Sequence, residues 1–203
     1  VFMANANEAE WNAENACWVE RHYIAAADEF SAFVYAAHAE EYERDGVRAP
    51  LVCEAYIGSA ESERITITLD ENWLIGIQTV VYLVNAELII GENATVVNYG
   101  SIYIESGSTL TVNGALENEA IEYASGELRL NCGIYIRDGC TLNALNGEYK
   151  GDGKLYKSAN GAALGTEQGN ALYFSNGREL SVLLTQCGEY AALYARGAVT
   201  LDS

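Results

Sequence analysis

The sequence predicts a mainly β protein, a parallel solenoid of coils about 21 residues long behind an N-terminal helical cap. Three observations predict it. The hydrophobic period changes from helical to strand-like near Ile65; short β-rich runs then start near residues 80, 87, 94, 101 and 108; and the chain writes one phrase twice, IYIESGSTLTVNG from Ile102 and IYIRDGCTLNALNG from Ile134.

The N-terminal part reads as helical. Phe30, Phe33, Val34 and Ala37 stand at i, i+3, i+4 and i+7, one apolar stripe, and Glu40, Glu41 and Glu43 continue into a solvated end. Asp28 is the expected N-cap, and Asp45-Gly46 followed by Pro50, the only proline, the expected stop. An earlier helix is expected around Trp11, Trp18, Val19 and Tyr23, its aromatics in the core. Residues 1–50 are thus a helical cap and 51–203 the solenoid domain, the cap covering an edge that would otherwise invite aggregation.

After Ile65 come ITITL, TVVYLV, AELII, ATVV, SIYIE and STLTV, each closed by Gly or Asn. Gly100, Gly107 and Gly114 keep the same interval of seven, and Gly126 and Gly133 resume it. A strand of four or five residues and a two-residue corner account for seven, Gly and Asn tolerating the left-handed backbone of a sharp corner. Three such sides give 21, the spacing from Tyr82 to Tyr103 and from Tyr135 to Tyr156. The two long phrases start 32 residues apart, which is not a multiple of 21, so they are expected on different sides of the coil, with slippage in ENEAIEYASG. The competing architecture is an antiparallel sandwich, whose hairpins could carry the same spacing.

The 29 acids and 11 bases, a net charge of −18, are spread over both parts: residues 1–72 hold fifteen acids and four bases, the rest fourteen and seven. Such a charge repels phosphate backbones and anionic lipid surfaces, so neither nucleic acid nor membrane insertion is expected, and no apolar run approaches a membrane span. The opening VFMANANEAEW lacks the basic and apolar regions of a secretion signal, which decides nothing about export. Five cysteines, Cys17, Cys53, Cys132, Cys140 and Cys187, show no CxxC spacing; buried thiols are the default, with a Cys17–Cys53 bridge left open.

Catalytic constellations are sparse. Asp138 and Asp152, beside Arg137 and Lys154, are fourteen residues apart, which puts them on different sides of a three-sided coil, and both precede glycine, where Asp is a good turn residue. His22 and His38 lack HExxH spacing; no nucleophile elbow, P-loop or dinucleotide-binding glycine pattern occurs; Asn93 opens a formal glycosylation sequon. No metal and no cofactor is expected. One surface feature has a mechanism. In SIYIE and GIYIR the isoleucines claim the interior, so Tyr103 and Tyr135 point outward; Tyr82 and Tyr156 extend them into two short ladders, Tyr82–Tyr103 and Tyr135–Tyr156, on which sugar rings could stack. Tyrosines packing on one another between coils is the structural alternative.

From Ile65 to Tyr156, and more loosely from GNALYF onward, the chain resembles right-handed parallel β-helix segments of bacterial cell-surface and secreted proteins, which favour phrases such as GSTLTVNG. The resemblance implies an interior of stacked aliphatics, here Ile102, Ile104, Leu110 and Val112, with Asn85, Asn98, Asn113 and Asn131 as candidates for asparagine stacks. It implies a non-catalytic structural or adhesive module, extracellular or on the bacterial surface, with glycans or other surface proteins as partners. Because the same fold hosts polysaccharide lyases and hydrolases, a carbohydrate-binding or carbohydrate-active protein is the alternative.

Overall fold

The computed structural model describes residues 9–29, 41–119, 132–137, 140–144, 146–151, 153 and 155, and the backbone alone of 156, 171–174 and 193–195. The strands form three sheets. The first runs from β1 (Glu10–Asn12) through β2 (Cys17–Ile24), β4 (Val47–Ile57), β7 (Thr79–Val84), β10 (Ser101–Glu105) and β13 (Gly133–Ile136) to β16 (Leu155–Tyr156), with β3 (Glu41–Arg44) paired to β4. The second stacks β5 (Ile65–Leu69), β8 (Ala86–Ile90), β11 (Thr109–Val112), β14 (Thr141–Ala144), β17 (Ala171–Phe174) and β18 (Leu193–Ala195). The third stacks β6 (Trp73–Ile75), β9 (Thr95–Asn98), β12 (Ala115–Asn118) and β15 (Glu148–Lys150). Among the described residues, every pairing is parallel except where β1 meets β2 and β3 meets β4. From β4 to β17, strands next to each other in a sheet are separated in sequence by strands of the other two, which supply the crossover that parallel pairing needs. The chain is therefore a solenoid-like stack, and the antiparallel sandwich is excluded across residues 79–118.

The repeated phrase has a simpler explanation than two sides of a coil. Ile102, Tyr103 and Ile104 are the direct register partners of Ile134, Tyr135 and Ile136, and Thr109 and Leu110 those of Thr141 and Leu142. The copies lie on the same side, one rung apart. Coil length also varies: register partners are 21 residues apart at Tyr82 and Tyr103, 22 at Leu88 and Leu110 and 20 at Val96 and Leu116, but 26 at Tyr56 and Tyr82 and 32 at Tyr103 and Tyr135. What recurs is the register of the strands, not a uniform 21-residue coil.

The N-terminal expectation is corrected too. Residues around Trp11 and Trp18 form the antiparallel strands β1 and β2, and β2 pairs in parallel with β4 from Trp18–Leu51 to Ile24–Ile57. Trp18 and Val19 are buried, but Trp11 is 43% and Tyr23 76% exposed. Asp45-Gly46 is no helix stop: both residues have positive φ, 53° and 77°, and they close a two-residue hairpin between β3 and β4, with Arg44 opposite Val47. Of the expected helix, the described residues contain one turn at 27–29; its start is held by Glu29, whose Oε2 accepts the amides of Ala25 and Ala26, rather than by Asp28. The stripe Phe30, Phe33, Val34 and Ala37, with Glu40, lies outside the described residues.

The core sits between the sheets. Ile102, Ile104, Leu110 and Val112 are at most 1% exposed, stacked above Val81, Leu83, Leu88 and Ile90. Burying each such side chain contributes about 1.5–3 kcal/mol. The glycines between the second and third sheets are required by close approach: a Cβ on Gly114 would lie 2.1 Å from the Ala94 carbonyl oxygen, and one on Gly147 2.5 Å from that of Val112. Left-handed backbone occurs elsewhere, at Asn85, Ser106, Gly58, Gly107 and Gly151.

Candidate functional site

Along β2, β4, β7, β10 and β13, residues of one register row project outward: Tyr23, Tyr56, Tyr82, Tyr103 and Tyr135. Their rings form one continuous stack, with successive centroids 5.5, 4.7, 5.0 and 4.4 Å apart and interplanar angles of 25°, 10°, 21° and 7°. The two short ladders of the sequence reading are thus one ladder of five, and Tyr23 and Tyr56, which no fixed repeat of 21 connects to Tyr82, belong to it. Tyr156 continues the row by backbone register with Tyr135. The rungs of parallel strands, about 4.8 Å apart, impose this spacing on the rings. Each interior ring has both faces against a neighbour, and Tyr135, expected to be exposed, is fully buried. The faces of Tyr56, Tyr82 and Tyr103 that a sugar ring would need are already in contact with tyrosine.

Burial raises the hydroxyl pKa of the three interior tyrosines. Tyr56 is pushed up to about 12, first by burial and then by the Glu54 carboxylate, and Tyr82 is raised for the same two reasons. Burial also raises Tyr103, against a lowering hydrogen bond with Tyr135. Glu54 Oε2 accepts the Tyr56 hydroxyl at 3.0 Å and Arg21 Nε at 3.0 Å, while Arg21 Nη1 reaches Glu10 at 2.6 Å.

The row beside the tyrosines consists of Arg21, Glu54, Val80, Ser101 and Gly133. These side chains dwindle along the stack and leave a trough next to the ladder. At its N-terminal end the turn after β1 leans over it, enclosing a cavity of about 240 Å³. Val19, Val52 and Val80, with Cys17, form a small apolar cluster there, against which Tyr82 and Tyr103 pack. Asn12 and Asn15 close the other side. Asn12 Oδ1 accepts the amides of Glu14 and Asn15, both at 3.1 Å, and so shapes the turn.

A second concavity, about 460 Å³, follows the corner between the second and third sheets, where Asn93, Asn113 and Asn146 recur on successive rungs beside Glu92 and Glu148. The sequon residue Asn93 is exposed in it. Of the expected asparagine stacks, Asn98 is in one, but its partner is Asn118, which sequence reading missed: Asn98 Nδ2 donates to Asn118 Oδ1 at 2.9 Å, and Asn118 Nδ2 to the Tyr149 hydroxyl at 3.0 Å. Asn85 instead donates to the Ser62 carbonyl, Asn113 lines the corner groove, and Asn131 lies outside the described residues.

His22 lies on β2 rather than on a helix, its Nε2 3.1 Å from the buried Glu20 carboxylate. Arg137 donates to Glu105 at 2.8 Å; Asp138, Asp152, Lys154 and His38 lie outside the described residues. Cys17 faces the outward cluster and Cys53 the interior one, so the two thiols sit on opposite faces of the sheet and no disulfide joins them. Among the described residues no group of three His, Cys, Asp or Glu is placed to hold a metal ion, and no helix is long and apolar enough to cross a membrane.

The fold defines a class, mainly β with parallel sheets stacked in register. Beyond that class no family model, no curated protein and no solved structure matches the chain.

Proposed function

We propose that the chain is a parallel β-helix module of a bacterial surface or secreted protein, extracellular, with a non-catalytic structural or adhesive role. The observation that carries this reading is the use of side chains on both faces of the first sheet for rung-to-rung contact: isoleucine and leucine ladders inside and an unbroken tyrosine stack outside. A stack of this kind gives an extended and stiff element, and its stability grows with each added rung. The acidic, lysine-poor surface keeps such a rod soluble and apart from nucleic acid and anionic lipid. The partners this reading assigns are glycans or other surface proteins.

The test is a panel of plant, host and bacterial polysaccharides, assayed for binding and for new reducing or unsaturated ends, with and without calcium. Binding or inertness without cleavage is expected. Cleavage of any polymer, lost in a Glu92→Gln/Glu148→Gln variant, would overturn the proposal and move the function to the corner groove as a carbohydrate-active site.

A further inference from the structure

We propose that the cavity beside the tyrosine ladder, between the Asn12–Asn15 turn and the Val19–Val52–Val80 floor, binds a single neutral pyranose unit of a glycan. This deepens the adhesive half of the function proposed above, and rests on it only for the source of the sugar. The floor is the first reason. Val19, Val52 and Val80 are 3%, 4% and 7% exposed although they lie on the outward side of the sheet, so they form a sheltered apolar surface rather than a wet one. The rings of Tyr82 and Tyr103 wall it on one side. Because their faces are stacked on each other, they offer their edges.

Size and polarity narrow the occupant. At about 240 Å³ the cavity falls below the range that drug-sized ligands need, and one six-membered ring with its substituents suits it. A pyranose has an apolar C–H face and a perimeter of hydroxyls. The cavity has the matching arrangement, apolar below and polar at the rim. Glu54 uses Oε2 for Arg21 and Tyr56, which leaves Oε1 as an acceptor; Asn12 uses Oδ1 for its turn, which leaves Nδ2 as a donor. Asn15 adds a second amide. The turn is set by its own hydrogen bonds before any ligand arrives, so little ordering cost is left to binding. Charge selects neutral sugars: Glu54 is paired with Arg21 at 3.0 Å, and the chain as a whole carries −18, which opposes uronic and sialic acids.

The full chain would be titrated with methyl glycosides of glucose, galactose, mannose and N-acetylglucosamine, and with glucuronate, while the tyrosine ring and asparagine amide resonances are followed by NMR. Millimolar binding of at least one neutral glycoside is expected, with shifts at Tyr82, Tyr103 and Asn15, and about a tenfold or greater loss of affinity in Val80→Phe, which fills the floor, and in Asn15→Ala. No shift with any neutral sugar, shifts confined to other residues, or equal binding of glucuronate would each overturn the proposal. Should Val80→Phe fail to fold, the shift map of the unaltered chain decides alone. Polymer cleavage in the earlier assay would end the non-catalytic reading without touching this one, and an empty cavity here would leave that reading intact.

Discussion

Gly114 shows how a single missing atom holds the corner together. Its position is occupied from two directions, by the carbonyl oxygens of Ala94 at 2.1 Å and Gly91 at 2.2 Å from where a Cβ would stand, so Gly114→Ala must push two rungs apart. We expect a loss of about 2–3 kcal/mol, measured by urea unfolding. Gly107 makes the contrast: its Cβ would meet nothing, and with φ at 74° the cost of Gly107→Ala is only that of left-handed backbone, about 1 kcal/mol. Equal losses at the two sites would refute the close-approach account. Asn118→Leu is expected to cost more than its change in volume suggests, about 2–4 kcal/mol, because it leaves Asn98 Nδ2 and the Tyr149 hydroxyl without their buried partner. The same denaturation series reads it. Sequence reading singled out Asn98 but not Asn118, since a stack is a relation between rungs, and 20 residues of chain separate the two.

At the scale of the element, the tyrosine ladder is the feature with the clearest solution signature. Removing an interior ring in Tyr103→Ala abolishes two stacked contacts, to Tyr82 and Tyr135, and should cost about 2 kcal/mol or more. Alkaline pH attacks the same element. Folded tyrosines with raised pKa hold their protons longer than unfolded ones, so their contribution is complete below the unfolded value of about 10 and is lost as pH rises through the folded value, about 12 at Tyr56. Following tyrosinate absorbance together with circular dichroism from pH 9 upward, we expect the ladder to ionise with loss of β structure. Ionisation near pH 10 with the fold intact would show the hydroxyls to be freely solvated.

For the whole molecule, a stack of rungs predicts a tolerance that a sandwich would not have. Glu87 and Thr109 are register partners, so excising residues 87–108 joins Ala86 to Thr109 with the strands still in phase, and Val80 would then meet Gly133 across the gap. The shortened chain should fold with an unchanged dichroism spectrum and lower stability; a chain that fails to fold would count against rung-wise stacking. Deleting residues 1–48 has the opposite expectation. It strips β2 from β4 and uncovers a strand edge together with Leu51, Cys53, Ala55 and Ile57, and light scattering should report aggregation.

The sequence alone determined the strand content after Ile65, the inward set of Ile102, Ile104, Leu110 and Val112 and the outward direction of Tyr82 and Tyr103, because alternation is a local property of an extended chain. The neighbour relations came only with the tertiary structure. That the two long phrases stack directly, that Tyr23 and Tyr56 join the ladder, and that Asp45-Gly46 turns a hairpin depend on which strands lie side by side. A corner can absorb extra residues without shifting the strands it joins, so spacing in the chain does not report spacing in the stack. The apparent helix around Trp11 and Trp18 failed for the same reason. Its apolar residues suited either period, and β4, some thirty residues further on, offered β2 an edge to pair with.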